Sequence, residues 1–284
     1  MAVLTWDGVG EKVFETGTDK GVFYSYDDTN KAYGNGEAWN GLTGFTDSPS
    51  GADETALWAD NIKYASMRAA EEYGGTISCY TYPDGFAECD GSAFIGSNTG
   101  VSIGQQKRKS FGFSCRTLVG NDVKGNDYGY KIHLIWSASV SPSDKDYSTV
   151  NDSPDGIEFS YEFTTTPVPV GTAYKPTAHM TIDTTKMDTT ALGHLAELET
   201  ILYGAASDGY SLLTQATAPA DWPTSGSSTK YFKNTGTSAV PVWTAAASTD
   251  TYVAGSFYEK GASARLPMPA EVITLFGGSP NTQG

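Results

Sequence analysis

The chain has 284 residues, 39% of them hydrophobic, enough to bury a substantial core in one large domain or two modest ones. Acidic side chains outnumber basic ones 33 to 18, a formal net charge of −15, which disfavours tight binding to nucleic acid or anionic membranes. No window is long and apolar enough to span a bilayer, and the opening MAVLTWDGVGEK lacks the basic segment and apolar run of a secretory leader, so a soluble product without a membrane partner is expected.

In chain order, the acid-rich Asp27-Asp28-Thr29-Asn30 lacks the ligand order of an EF-hand and reads as a solvated loop. Asp60-Asn61, between Ala56-Leu57-Trp58 and Ile62-Lys63-Tyr64, reads as a hairpin tip, because Asp and Asn tolerate positive φ. GTISCYTY sets Ile77 and Cys79 on one strand face and is followed by a turn at Tyr82-Pro83-Asp84-Gly85. Lys107-Arg108-Lys109 is the densest basic patch, and on so acidic a chain it is expected to meet an acidic neighbouring subunit.

KSFGFSC places Phe111, Phe113 and Cys115 together, and GYKIHLIWSASV places Tyr130, Ile132, Leu134, Trp136, Ala138 and Val140 on one face, with turn-formers at Gly120-Asn121-Asp122 and Gly125-Asn126-Asp127 between them. After a turn at 153–156, DGIEFSYEF points Ile157, Phe159, Tyr161 and Phe163 one way and Glu158 and Glu162 the other; TAHMTID repeats the alternation with Ala178, Met180 and Ile182. Such alternation predicts an antiparallel sheet covered on one side only. DTTALGHLAELETILYG departs from it: Leu192, Leu195, Leu198 and Ile201 or Leu202 recur at helical spacing, with Asp188 or Thr189 as N-cap and Gly204 as the stop, predicting one helix lying on the sheet.

Composition shifts after Gly204. Residues 1–204 carry 14 basic and 28 acidic side chains, whereas 205–261 are rich in Ser, Thr and Ala with three lysines and four acids. TKYFKN, PVWTA and GSFYEK read there as short strands, and ARLPMPAEVITLFGG, with Val272, Ile273, Leu275 and Phe276, reads as a segment that packs back on the body. Three units follow: a core at 1–204, a small β-rich insert at 205–261 and a C-terminal segment at 262–284.

The residues offer little catalytic chemistry. Glu158 and Glu162 stand four residues apart on a strand, about 13 Å at roughly 3.3 Å per residue, wider than the carboxyl pair of a glycosidase. His133, His179 and His194 occur in no metal-binding spacing and read as surface or hydrogen-bonded histidines. No GxSxG, dinucleotide or P-loop motif occurs, and Cys79, Cys89 and Cys115 form no CxxC pair, so reduced thiols and no metal or cofactor are expected. Tyr231, Phe232, Trp243, Tyr252, Phe257 and Tyr258 form either a miniature core or a sugar-binding patch, which leaves a carbohydrate-binding surface module as the alternative to a structural subunit.

Several long words resemble the major tail tube proteins of bacteriophages with long, flexible, non-contractile tails: WDGVGEKVFETGTDKGVFY (6–24), AWNGLTGFTDSPSGAD (38–53), LWADNIKY (57–64), TISCYTYPDGFAECDGS (76–92), IGQQKRKSFGFSCRTLVGNDVKGNDYGYKIHLIW (103–136), NDSPDGIEFSYEFTTTPVPV (151–170) and AELETILYG (196–204). The family runs almost directly from the ILYG-like helix end to an RLPLPDEV-like tail, here RLPMPAEV at 265–272, so residues 205–261 depart from its pattern as an insertion into a surface connection.

The resemblance implies a mainly β, antiparallel sandwich or barrel-type tail tube fold with one flanking helix, no enzymatic activity, and six-copy rings stacked into the tube of a virion tail assembled in the host cytoplasm. It implies a tape-measure protein, a tail terminator and distal tail proteins as partners, and DNA that passes through without specific binding. In this setting Glu158 and Glu162 are expected on an acidic lumen face, and Asp60 and Asn61 in a loop that contacts the next ring; the N-terminal segment is a further candidate for that contact.

Overall fold

The computed structural model describes the chain except residues 1–2, 52, 97, 148, 150–155, 208, 238–240 and 281–284; most of the turn expected at 153–156, from Ser153 to Asp155, therefore lies outside the described residues. The first stretch holds β1 (Val13–Asp27), β2 (Ala32–Ala38), β3 (Leu42–Asp47), β4 (Ser50–Gly51), β5 (Glu54–Ala59), β6 (Ile62–Arg68), β7 (Glu71–Glu72), β8 (Gly74–Cys79), β9 (Ala93–Ile95) and β10 (Asn98–Ile103). Next come β11 (Phe111–Asn121), β12 (Gly125–Val140), β13 (Phe159–Thr165), β14 (His179–Asp183) and helix α1 (Thr189–Tyr203). The remainder forms β15 (Tyr210–Leu212), β16 (Ser227–Asn234), β17 (Trp243–Ala247), β18 (Tyr258–Lys260) and helix α2 (Pro269–Leu275). The protein is mainly β, with antiparallel sheets.

The main sheet runs β2-β1-β11-β12-β13-β8-β3 and forks at β12. Residues Lys131–Ile135 of β12 pair with β14, and Ala138–Val140 pair with β13. Between the two partners stands Ser137, at φ 52°, the extra residue where the register with β11 slips between Phe113↔Ile135 and Phe111↔Ala138. A bulge of this kind bends the strand and re-aims the side chains beyond it.

The bulge accounts for the main departure from the expected pattern. Ile132, Leu134 and Trp136 pack into one core, whereas Ile135, Ala138 and Val140 pack into a second core on the opposite face. Around β12 the sheet is thus covered on both sides, not one, and the six residues expected on one face of GYKIHLIWSASV divide between the two. The second core is enclosed by the curl of the sheet: Phe23, Phe111, Phe113, Ile77, Tyr161, Phe163 and Trp39 meet there, and the Trp39 amide donates to the Gly21 carbonyl at 2.8 Å, extending the β1–β2 ladder past Ala38. A 3-10 turn at Asp84–Glu88, where a simple turn was expected, delivers the fully buried Phe86 to this core.

The first core lies beneath the helices. Asp188 caps α1 by accepting from the Ala191 amide at 2.8 Å, and Gly204, at φ 81°, ends it. Leu195, Leu198, Ile201 and Leu202 are buried, each worth about 1.5–3 kcal/mol of transfer free energy. Leu192, expected with them, is exposed. Tyr24 ties the sheet to the helix by donating to the Leu202 carbonyl at 2.9 Å, and Trp136 Nε1 donates to the Pro267 carbonyl at 2.9 Å. The C-terminal segment adds α2 to the one helix expected: Pro269 starts it, where its missing N–H costs nothing, and Val272 and Leu275 bury against the same core.

Residues 210–260 form their own sheet, β15-β18-β16-β17, whose first strand the alternation did not reveal. The Ala205 amide donates to the Ala262 carbonyl at 2.9 Å, so the two ends of the stretch stand side by side. Tyr231, Phe257, Leu213 and Ala246 form a small core with Trp222 and Tyr252. Leu212 and Tyr258 join the first core, and Arg265 bonds both Thr214 at 2.6 Å and Glu271 at 3.0 Å. A variant with residues 206–261 removed is expected to fold, at a cost of about 2–5 kcal/mol for the lost cover of the first core, measured by urea unfolding.

Candidate functional site

Two surfaces stand out, one polar and one apolar. The polar one is the outward face of β3, β8 and β13. Because Phe159, Tyr161 and Phe163 point into the second core, Ser160, Glu162 and Thr164 point out. Cross-strand pairing aligns Thr46, Thr76 and Glu162 in one row and Gly44, Ser78 and Ser160 in the next. Glu158, one residue before β13, is exposed and accepts a hydrogen bond from the Thr43 hydroxyl. The two glutamates therefore share an exposed sheet face whose neighbours are small hydroxyl side chains and glycine, and none of the residues in these rows is basic.

The apolar surface is a projecting ribbon. β5 and β6 pair only with each other, joined at Asp60 and Asn61, whose φ values of 50° and 62° are those of a two-residue hairpin turn. The short β4–β7 pair connects the ribbon to the body, and β5 from Glu54 to Ala59 spans roughly 17 Å at about 3.3 Å per residue. Leu57↔Ala65, Thr55↔Met67 and Ala59↔Ile62 are cross-strand neighbours, while Glu54 is bridged by Lys63 and by Arg68 at 3.5 Å. Leu57, Trp58 (70% exposed), Ile62, Tyr64 (75%) and Met67 all face solvent. A second exposed apolar stretch, Val3, Leu4, Trp6 and Val9, leads to Gly10, whose amide donates to Asp122 at 3.0 Å and whose carbonyl accepts from Asn121 at 3.2 Å.

Other residues singled out by the sequence have local partners. Asp27 accepts from the Thr29 amide at 2.8 Å and from Asn30, which holds its carboxyl below the usual range and closes the β1–β2 turn. In the basic cluster, Arg108 pairs with Asp90 at 3.5 Å and Lys109 with Glu88 at 2.6 Å, while Lys107 is exposed. Cys79, Cys89 and Cys115 are free and buried, and burial pushes all three thiols up, Cys89 to about 12. Trp243 stacks on Tyr210 at 3.9 Å, so the aromatic faces of the insert pack largely on one another.

Two of the histidines are hydrogen-bonded, as expected, and partner each other, which the sequence does not indicate. His133 on β12 and His179 on β14 come together, Nδ1 to Nε2 at 3.3 Å, beside Asp47 at the end of β3. Their contacts join residues 46 positions apart, and no local spacing marks them. His194, on α1, stands apart from them and faces Glu197 at 3.6 Å. Among the described residues no helix is long and apolar enough to cross a membrane. In comparisons with known proteins, no protein family and no curated sequence matches the chain.

Proposed function

We propose that the chain is a structural, non-enzymatic subunit that polymerises with copies of itself, as six-copy rings stacked into the tube of a non-contractile phage tail. The observation that carries this reading is the β5–β6 ribbon. A two-stranded hairpin alone is marginal in water, and this one exposes five large apolar side chains around a tip held in a defined turn. Docking on the next copy both covers that surface and stabilises the ribbon, with Asp60 and Asn61 at its leading end.

In this reading Glu158 and Glu162 line the lumen. Neutralising phosphates releases counterions and makes DNA adhere, and a face of hydroxyls and carboxylates does the reverse, leaving a conduit through which DNA slides without specific contact. The tape-measure protein, tail terminator and distal tail proteins are its partners, the host cytoplasm is where it assembles, and the virion tail is where it resides. Residues 205–261 decorate the outside. Light scattering tests self-association: the apparent mass is expected to rise from one copy with concentration, and to do so also after removal of 206–261. A saturable glycan site on a chain that stays at the mass of one copy would favour a carbohydrate-binding module instead.

A further inference from the structure

We infer that Asp47, His133 and His179 form a binding site for one divalent transition ion, of which Zn²⁺ is the best match. The ligand atoms of the three residues all lie within 4.8 Å of one another. His133 Nδ1 and His179 Nε2 are 3.3 Å apart, close to the separation of about 3.4 Å that two nitrogens take up at roughly 2.1 Å from a tetrahedral zinc ion. The next layer is also in place. Thr117 Oγ1 lies 3.0 Å from His133 Nε2; accepting that N–H leaves the Nδ1 lone pair free for a metal. Tyr73 donates to Asp47 Oδ1 and stacks on the His179 ring at 4.4 Å, fixing two of the three ligands.

A cleft of about 290 Å³ lined by Glu71, Tyr73, Pro176, Thr177 and His179 lies on the His179 side of the site, and Asp47 is itself exposed, so solvent water could complete the coordination. Two nitrogen donors disfavour Mg²⁺ and Ca²⁺, which take oxygen ligands. The fold gives the site a structural role. β3 lies at one end of the main sheet's strand order, and β12 and β14 meet at its fork, so one ion clamps the curled sheet across the mouth of the second core.

The test is titration of chelator-treated full-length protein with Zn²⁺ by calorimetry, with X-ray absorption spectroscopy of the zinc-loaded wild type. One equivalent is expected to bind, with two imidazoles at about 2.0–2.1 Å. His179→Gln and His133→Gln are each expected to weaken binding by about 100-fold or more, and Thr117→Val, which touches only the outer layer, by about 10-fold. Absence of saturable one-equivalent binding, oxygen-only coordination in the wild type, or unchanged affinity in both histidine variants would overturn the assignment. The wild-type spectrum decides the matter even where a variant fails to fold.

Discussion

Replacing Trp58 with Ser and Ile62 with Thr is expected to leave the subunit folded and to abolish its self-association. Both side chains stand on the ribbon and face solvent in the single chain, so the change in folding free energy should stay within about 0.5 kcal/mol. In an assembly the same residues become buried anchors. A tryptophan at the centre of an interface commonly contributes about 2 kcal/mol or more, roughly a 30-fold change in Kd, and the contact is repeated on every copy of a ring. Urea unfolding checks the first half and sedimentation velocity the second. Arg68→Gln provides the control: its pairing with Glu54 is exposed and worth at most about 1 kcal/mol, so assembly should survive.

The largest effect on stability is expected at Trp136. Its side chain is fully buried in the core beneath both helices, and Nε1 donates to the Pro267 carbonyl, fastening the segment that leads into α2. Trp136→Ala removes the packing, leaves a cavity and strands that carbonyl, a loss of about 3–5 kcal/mol. Trp136→Phe keeps much of the volume and isolates the hydrogen bond, at a smaller cost. Leu192→Ala, on the exposed side of α1, should cost less than about 0.5 kcal/mol. Denaturant midpoints of the three variants give the comparison directly. If Trp136→Ala were as mild as Leu192→Ala, the helices would not be held to the sheet in the way the fold describes.

The features legible in the sequence are those set by neighbouring residues. Alternation along Phe159, Tyr161 and Phe163, the Asp60-Asn61 turn and the Asp188 cap each depend on a few consecutive positions, and each is found where expected. What stayed hidden depends on distant partners. One extra residue at Ser137 reverses the phase of β12, so residues that alternate perfectly in sequence serve two cores. The intrachain partners of Arg108 and Lys109, Asp90 and Glu88, lie about twenty positions away. Asp47, His133 and His179 lie on three strands that only the fork and the curl of the sheet bring together. The exposed positions of Glu158 and Glu162 follow from strand periodicity, whereas a lumen around them is a property of the assembly.

The most direct measurement is negative-stain electron microscopy of the purified wild-type chain at high concentration, beside the Trp58/Ile62 double variant. The account predicts rings stacked into tubes with a central channel for the wild type, and single subunits for the variant. Particles of single-subunit size at every wild-type concentration, indistinguishable from those of the variant, would contradict it.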